Sequence, residues 1–165
     1  MEMTIRRNGW TRLGVCLVIF AMLLACKKKR EPLSFIADPP IAKARNYTLT
    51  VGSAKECDAG KKHFGPEPGF VHLGVELTFE ATTDALLHIF GYPMKLKGPG
   101  GQIYRMSYAQ CQPEFPLPCS VKKGERQHGL LTFEIPEDST SLLLTYEHQA
   151  SLAEATDTAA IILKR

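Results

Sequence analysis

Long apolar stretches are scarce in this chain. The only extended uncharged apolar run covers residues 13–25 (LGVCLVIFAMLLA). As a helix it would reach about 20 Å, short of the roughly 30 Å hydrocarbon core of a bilayer, so a multi-span membrane protein is excluded. Charge of one sign is also lacking: 20 Lys and Arg stand against 17 Asp and Glu, a net of +3, too little to mark the whole chain as a nucleic-acid binder. Tryptophan occurs once, at Trp10. At 165 residues there is room for one domain with a tail but not for an α/β barrel. The local signatures of chemistry are absent too. There is no G-x-S-x-G nucleophile elbow, no phosphate loop with its lysine, and no H-E-x-x-H or C-x-x-C metal spacing.

What is present starts at the amino terminus. Arg6, Arg7 and Arg12 form a basic segment ahead of the apolar run, and small residues close it. A basic start, a short apolar core and a small-residue end describe an export signal over residues 1–25. The core ends in Leu23-Leu24-Ala25-Cys26, which resembles the lipobox of bacterial lipoproteins. That resemblance implies cleavage after Ala25 and acylation of the Cys26 thiol. Each buried acyl CH₂ contributes about 0.8 kcal/mol, so two or three chains hold a polar domain on a bilayer without a spanning helix. Position 27 is Lys and not Asp. By resemblance to enterobacterial lipoproteins, this favours the outer membrane where the producer has two membranes.

Residues 26–46 read as the acylated Cys followed by a tether. Residues 27–46 carry six basic residues against Glu31 and Asp38, and Pro32, Pro39 and Pro40 disfavour a helix. The cluster Lys27, Lys28, Lys29 and Arg30 would sit at headgroup level, where each charge contributes about 1 kcal/mol on an anionic surface. Residues 47–165 carry 11 basic and 14 acidic residues, so the domain itself is acidic and lacks a nucleic-acid signature.

In that domain the hydrophobic period is two. Val71, Leu73, Val75, Leu77 and Phe79 alternate with His72, Gly74, Glu76, Thr78 and Glu80. Shorter strands are expected at 47–51, 86–90, 94–97, 102–107, 131–135, 141–147 and 159–163, with a tight turn at Gly98-Pro99-Gly100-Gly101. Only residues 151–156 have helical composition. About seven to eight strands with short turns predict an all-β, antiparallel, immunoglobulin-like β-sandwich over residues 47–165.

Three stretches carry a family resemblance. Residues 70–85 (FVHLGVELTFEATTDA) give a long strand with a Thr- and Asp-rich turn. Residues 97–104 (KGPGGQIY) give a glycine turn ending on an aromatic. Residues 121–136 (VKKGERQHGLLTFEIP) and 142–146 (LLLTY) give a Gly-Glu turn and two apolar strands. Together they resemble the telokin-like, immunoglobulin-like domains of bacterial lipoproteins, a family that brings no catalytic residues with it. Ala81, where Asn is common, and a Cys- and Pro-rich insertion at 108–120 depart from its pattern.

Cysteine use fits an oxidising compartment. With Cys16 in the leader and Cys26 acylated, Cys57, Cys111 and Cys119 remain, enough for one intramolecular disulfide. A Cys111–Cys119 bridge is the favoured pairing, since it would pin the proline-rich loop and contribute about 2–3 kcal/mol. Pairing of Cys57 with either partner stays open. His63, His72, His88, His128 and His148 are scattered, so solvated or locally bonded histidines are expected rather than a metal site, and no cofactor is implied. The loop 108–120 is the candidate for partner binding, with Tyr108, Phe115 and Leu117 among its prolines. The competing expectation is that Phe115 and Leu117 fold back onto the core.

These features predict a lipid-anchored envelope module, attached to the bilayer through Cys26, that binds another envelope protein or ligand and is not an enzyme. The alternatives are a metal- or thiol-dependent envelope factor and a structural spacer or assembly subunit.

Overall fold

A computed structural model describes residues 30–58, 65–83, 87–89, 94–116, 119–148 and 157–165. The leader with Cys26, His63, Leu117 and the helix expected at 151–156 lie outside the described residues. Every regular element described is a strand: β1 (Ser34–Asp38), β2 (Ile41–Lys43), β3 (Tyr47–Glu56), β4 (Phe70–Ala81), β5 (Leu87–Ile89), β6 (Met94–Lys97), β7 (Ile103–Tyr104), β8 (Cys119–Val121), β9 (Arg126–Pro136), β10 (Ser141–His148) and β11 (Asp157–Lys164). The fold is the expected antiparallel immunoglobulin-like β-sandwich. Its strand count is higher because the short strands β1, β2 and β8 join the eight expected ones.

Hydrogen bonding runs continuously in the order β7-β6-β10-β11-β1-β3-β4-β9, with β2 also on β3 and a separate β5-β8 ribbon. The continuity depends on β1. Ser34 and Phe35 pair with Lys55 and Ala54 of β3, whereas Ile36, Ala37 and Asp38 pair with Lys164, Leu163 and Ile162 of β11. One short strand thus closes both sheets on one side, and after Pro39 and Pro40 the chain returns to β3 as β2. This corrects the expected tether. From residue 34 onward the segment belongs to the sandwich, and Leu33 and Phe35 are core residues. The physical reason is alternation in a very short strand: Phe35 points in, Ser34 and Ile36 point out.

The inner faces pack as one cluster. Val71, Leu73, Val75, Leu77 and Phe79 of β4 and Leu131, Phe133 and Ile135 of β9 meet Leu142, Leu144 and Tyr146 of β10 and Ile161 and Leu163 of β11. At its centre Tyr47 stacks on Phe79 with ring centroids 5.1 Å apart, and Tyr146 meets both rings edge-on at 4.8 and 5.5 Å. The Tyr47 hydroxyl donates to the Tyr146 carbonyl at 3.1 Å, so this buried phenol joins the two sheets.

If β1 is core rather than spacer, Phe35→Ala should lower unfolding free energy by about 3–5 kcal/mol, as buried aromatic truncations do. Its neighbour Ile36→Ala should change stability by less than about 0.5 kcal/mol. Urea unfolding of the two variants measures the contrast, and equal effects would return residue 35 to a linker.

Candidate functional site

β9 would be an open edge if nothing covered it. Instead the segment after β7 pairs with it twice. The Ser107 amide donates to the Thr132 carbonyl at 2.8 Å and the Glu134 amide to the Arg105 carbonyl at 3.2 Å. Further along, the Phe115 amide donates to the Leu130 carbonyl and the Leu130 amide to the Pro113 carbonyl, at 2.9 and 2.7 Å. Gly129 makes the second contact possible, because a Cβ there would lie 2.5 Å from the Phe115 Cα. Between these two attachments residues 108–112 leave the edge and fold across the outer face of β4.

That crossing is held by side chains that sequence alternation places on the outer face. His72, Gly74 and Thr132 share this face, since His72 pairs with Glu134 and Gly74 with Thr132. The Thr132 hydroxyl accepts from the Cys111 amide at 2.8 Å, and the Ser107 hydroxyl lies 3.2 Å from His72 Nε2. The Ala109 amide donates to the same Ser107 oxygen at 3.1 Å. His72 therefore faces outward as its strand position requires but is only 6% exposed, because the loop roofs it.

A disulfide completes the roof. It joins Cys57 at the end of β3 to Cys111, with Cα atoms 6.1 Å apart, and Cys119 is left as a free, half-buried thiol. The expected Cys111–Cys119 bridge is thereby corrected. Cys111 lies over Gly74, where a Cβ would stand 3.3 Å from the Cys111 sulphur and 3.4 Å from that of Cys57. The bare glycine surface brings the loop down next to the end of β3. Cys119 instead belongs to β8, paired with Ile89 of β5. Burial pushes the Cys119 thiol above its usual range, and burial first, then the nearby Cys119 charge, pushes the Tyr146 phenol up to about 12.

The expected binding trio separates. Tyr108 projects from the pinned loop at 93% exposure, whereas Phe115 is 1% exposed and seals the core under the loop. Beside the disulfide opens a hollow of about 400 Å³ bordered by Pro32, Glu56, Cys57, Asp58, Val71 and His72. Its Glu56 carboxylate accepts from the Leu33 amide at 2.9 Å, so the acidic wall also fastens the start of the domain. Elsewhere on this outer face, His128 Nδ1 is 3.0 Å from the Thr78 hydroxyl and its Nε2 3.6 Å from Glu76. Among the described residues no three His, Cys, Asp or Glu side chains are grouped to hold a metal ion. The outer face of this sheet thus carries an exposed aromatic on a pinned loop and, beside the disulfide, a hollow walled by Glu56 and Asp58.

No family model matches this chain, and no curated protein does. Solved structures do share its fold. A Bacillus subtilis protein, ycdA, described as a candidate lipoprotein, superposes with a TM-score of 0.59 at 13% identity over 72% of this chain. The chain spans 37% of the length of that protein. The yjhA protein of Bacillus subtilis gives 0.52 at 17% identity, covering 64% of this chain and 76% of its own. A Listeria monocytogenes protein of unknown function gives 0.51 at 10% identity, covering 80% and 87%.

Nonreducing peptide mapping should recover Cys57 linked to Cys111. The bridge closes a sequence separation of 54 residues, so removing it should cost about 4 kcal/mol in the chain-entropy model; recovery of Cys111 with Cys119 would refute the assignment. The Cys119 thiol provides a pH test. Its folded-state value is raised, so the folded chain keeps the proton to higher pH than the unfolded chain does. The associated stabilisation is complete below the ordinary thiol range and is lost as pH climbs through the raised value. Iodoacetamide should accordingly modify Cys119 with a midpoint above that of the urea-unfolded chain, and coincident midpoints would contradict its burial.

Proposed function

We propose that this chain is an exported envelope lipoprotein, acylated on Cys26, whose immunoglobulin-like sandwich is a non-catalytic module for binding an envelope partner. The observation that carries the reading is the spacing between motif and fold. The lipobox Leu23-Leu24-Ala25-Cys26 closes the apolar run, and the first core residue, Leu33, follows seven positions later. A spanning helix has no room to form between them. The shared fold with the Bacillus subtilis candidate lipoprotein supports the same assignment, as do the three stretches that resemble telokin-like lipoprotein domains. Lys27 after the anchor favours the outer membrane in a two-membrane producer.

Binding is assigned to the loop surface around Tyr108. An aromatic held out by a disulfide, a backbone ladder and two side-chain contacts loses little conformational entropy when a partner covers it. Aromatic anchors of this kind dominate binding energy at protein interfaces.

Two substitutions test the two halves. Cys26→Ala should leave an unacylated chain that no longer partitions with membranes, read by intact mass and fractionation; a membrane-bound, acylated Cys26→Ala product would overturn the anchor. Tyr108→Ala should keep the fold and anchor but weaken capture of the envelope partner by roughly thirtyfold, the scale of a hot-spot residue. Unchanged capture would remove this loop from the interface.

A further inference from the structure

The sheet β6-β10-β11-β1 turns its other face outward, and that face is not uniformly polar. Alternation puts Ile36, Leu143, Ala160 and Ile162 on it. Register makes the two larger β10 and β11 side chains neighbours, Leu143 opposite Ile162, and places Ile36 one pair further along β11 from Ile162. Ile36 is 75% and Ile162 42% exposed. Lysines border this apolar centre: Lys97 is opposite Leu143, Lys95 opposite Thr145, and Lys164 opposite both Ser141 and Ile36. Two carboxylates share the face: Asp38, opposite Ile162, lies 3.4 Å from Lys164, and Glu147 lies 2.8 Å from Lys95. Three lysines against two acids leave it a net charge of +1 while the domain as a whole is acidic.

We propose that this face lies on an anionic lipid surface, with Ile36, Leu143 and Ile162 at the boundary between headgroups and acyl chains and Lys95, Lys97 and Lys164 among the phosphates. The inference rests on the anchoring proposed for Cys26 and adds to it an orientation. Two observations select lipid as the occupant. The first is chain length: seven residues, eight Cα steps, separate Cys26 from Ser34, at most about 29 Å when fully extended. A domain of this size has a diameter of roughly 35 Å, so the tether keeps it within about one diameter of the bilayer. Ile36 lies two residues beyond the tether, on the strand that receives it. Anchoring makes contact with the bilayer an intramolecular event, in which a small apolar patch suffices.

The second observation is charge. Lys27, Lys28, Lys29 and Arg30 already favour an anionic leaflet. Against such a surface an acidic domain turns its basic face inward and its acidic faces away. The opposite sheet, with Tyr108 and the disulfide-held loop, then points out from the membrane.

Tryptophan fluorescence tests this in the acylated full-length product, because Trp10 is lost with the leader and the mature chain contains no other tryptophan. Ile36→Trp, Ile162→Trp and, as a control on the opposite sheet, Tyr108→Trp are reconstituted into phosphatidylglycerol-containing vesicles. The expected result is blue-shifted emission at positions 36 and 162, with quenching by brominated acyl chains at least about twofold stronger than at 108. Circular dichroism checks that each variant folds, and two independent positions guard against the loss of one. Vesicle flotation separates the two levels. Protein that fails to float refutes the anchor itself; protein that floats while positions 36 and 162 emit as in water overturns the orientation alone. Equal quenching in pure phosphatidylcholine overturns the anionic surface as the partner. A blue shift that grows with protein concentration, without quenching by brominated lipid, assigns the face to a second copy of the chain and also overturns the proposal.

Discussion

Everything else in the sandwich depends on β1 being shared. Its first two residues hydrogen-bond to β3 and its last three to β11, so five residues close one side of both sheets. The strand joins the start of the domain to its end, since Ile36 pairs with Lys164. Closing so long a loop costs chain entropy before the contact rewards it, so pairings this distant slow folding. The same strand ties mechanics to location. Because Leu33 and Phe35 are buried in the core, pulling on the chain ahead of them pulls on the core directly rather than on a slack spacer.

A second constraint operates on the opposite sheet, and its origin is an absence of side chain. Gly74 interrupts the outward row of β4, and into the space it leaves settles the Cys57–Cys111 bridge. Thr132, opposite Gly74, takes the Cys111 amide, and His72, two residues before it, meets Ser107. These contacts satisfy polar groups that a strand–loop contact would otherwise bury without partners. They also explain how an extended loop can carry an exposed tyrosine without becoming an unstructured excursion. The loop is attached to β9 on either side of Tyr108 and stapled to β3 between them.

The long strands were legible because period-two alternation persists through them: β4 from Val71 to Phe79 and β9 from Leu131 to Ile135 show the pattern with no competing helical reading. The Gly98–Gly101 turn was legible for a similar reason, as Gly101 adopts a φ of +80° that few other residues accept. β1 was not. Five residues flanked by charges and prolines give alternation too little length to stand out from a tether, and its partners are supplied by chain that follows much later. The disulfide was not legible from cysteine spacing, which favours the local Cys111–Cys119 bridge over the distant Cys57–Cys111 one. The informative signal was Gly74, a glycine at an outward position of the strongest strand, where only a close approach explains it. In the loop, composition marked Tyr108, Phe115 and Leu117 alike. Only the backbone ladder from Pro113 to Phe115 distinguishes the ring that seals the core from the one that faces solvent, and that ladder is a tertiary fact.

The two constraints give the sandwich unlike faces. On one sheet the outward residues are a small apolar centre edged with lysine, and the strand carrying Ile36 receives the chain from the anchor side. On the other they are acidic residues, a histidine covered by its own loop, and an aromatic held clear of the surface. A symmetric module could meet a bilayer on either side and would hide its binding surface half of the time. On the anchoring we propose, the short reach to Cys26 and the sign of the charge would act in the same direction, so neither would have to be strong. An exposed ion pair or a single isoleucine contributes little alone, but on a domain confined to the surface by the acylation we propose each would need only to bias a rotation. Orientation would then be a property of the fold, set by which sheet β1 leaves toward solvent, and the aromatic loop would be presented outward because the disulfide lies on the opposite sheet.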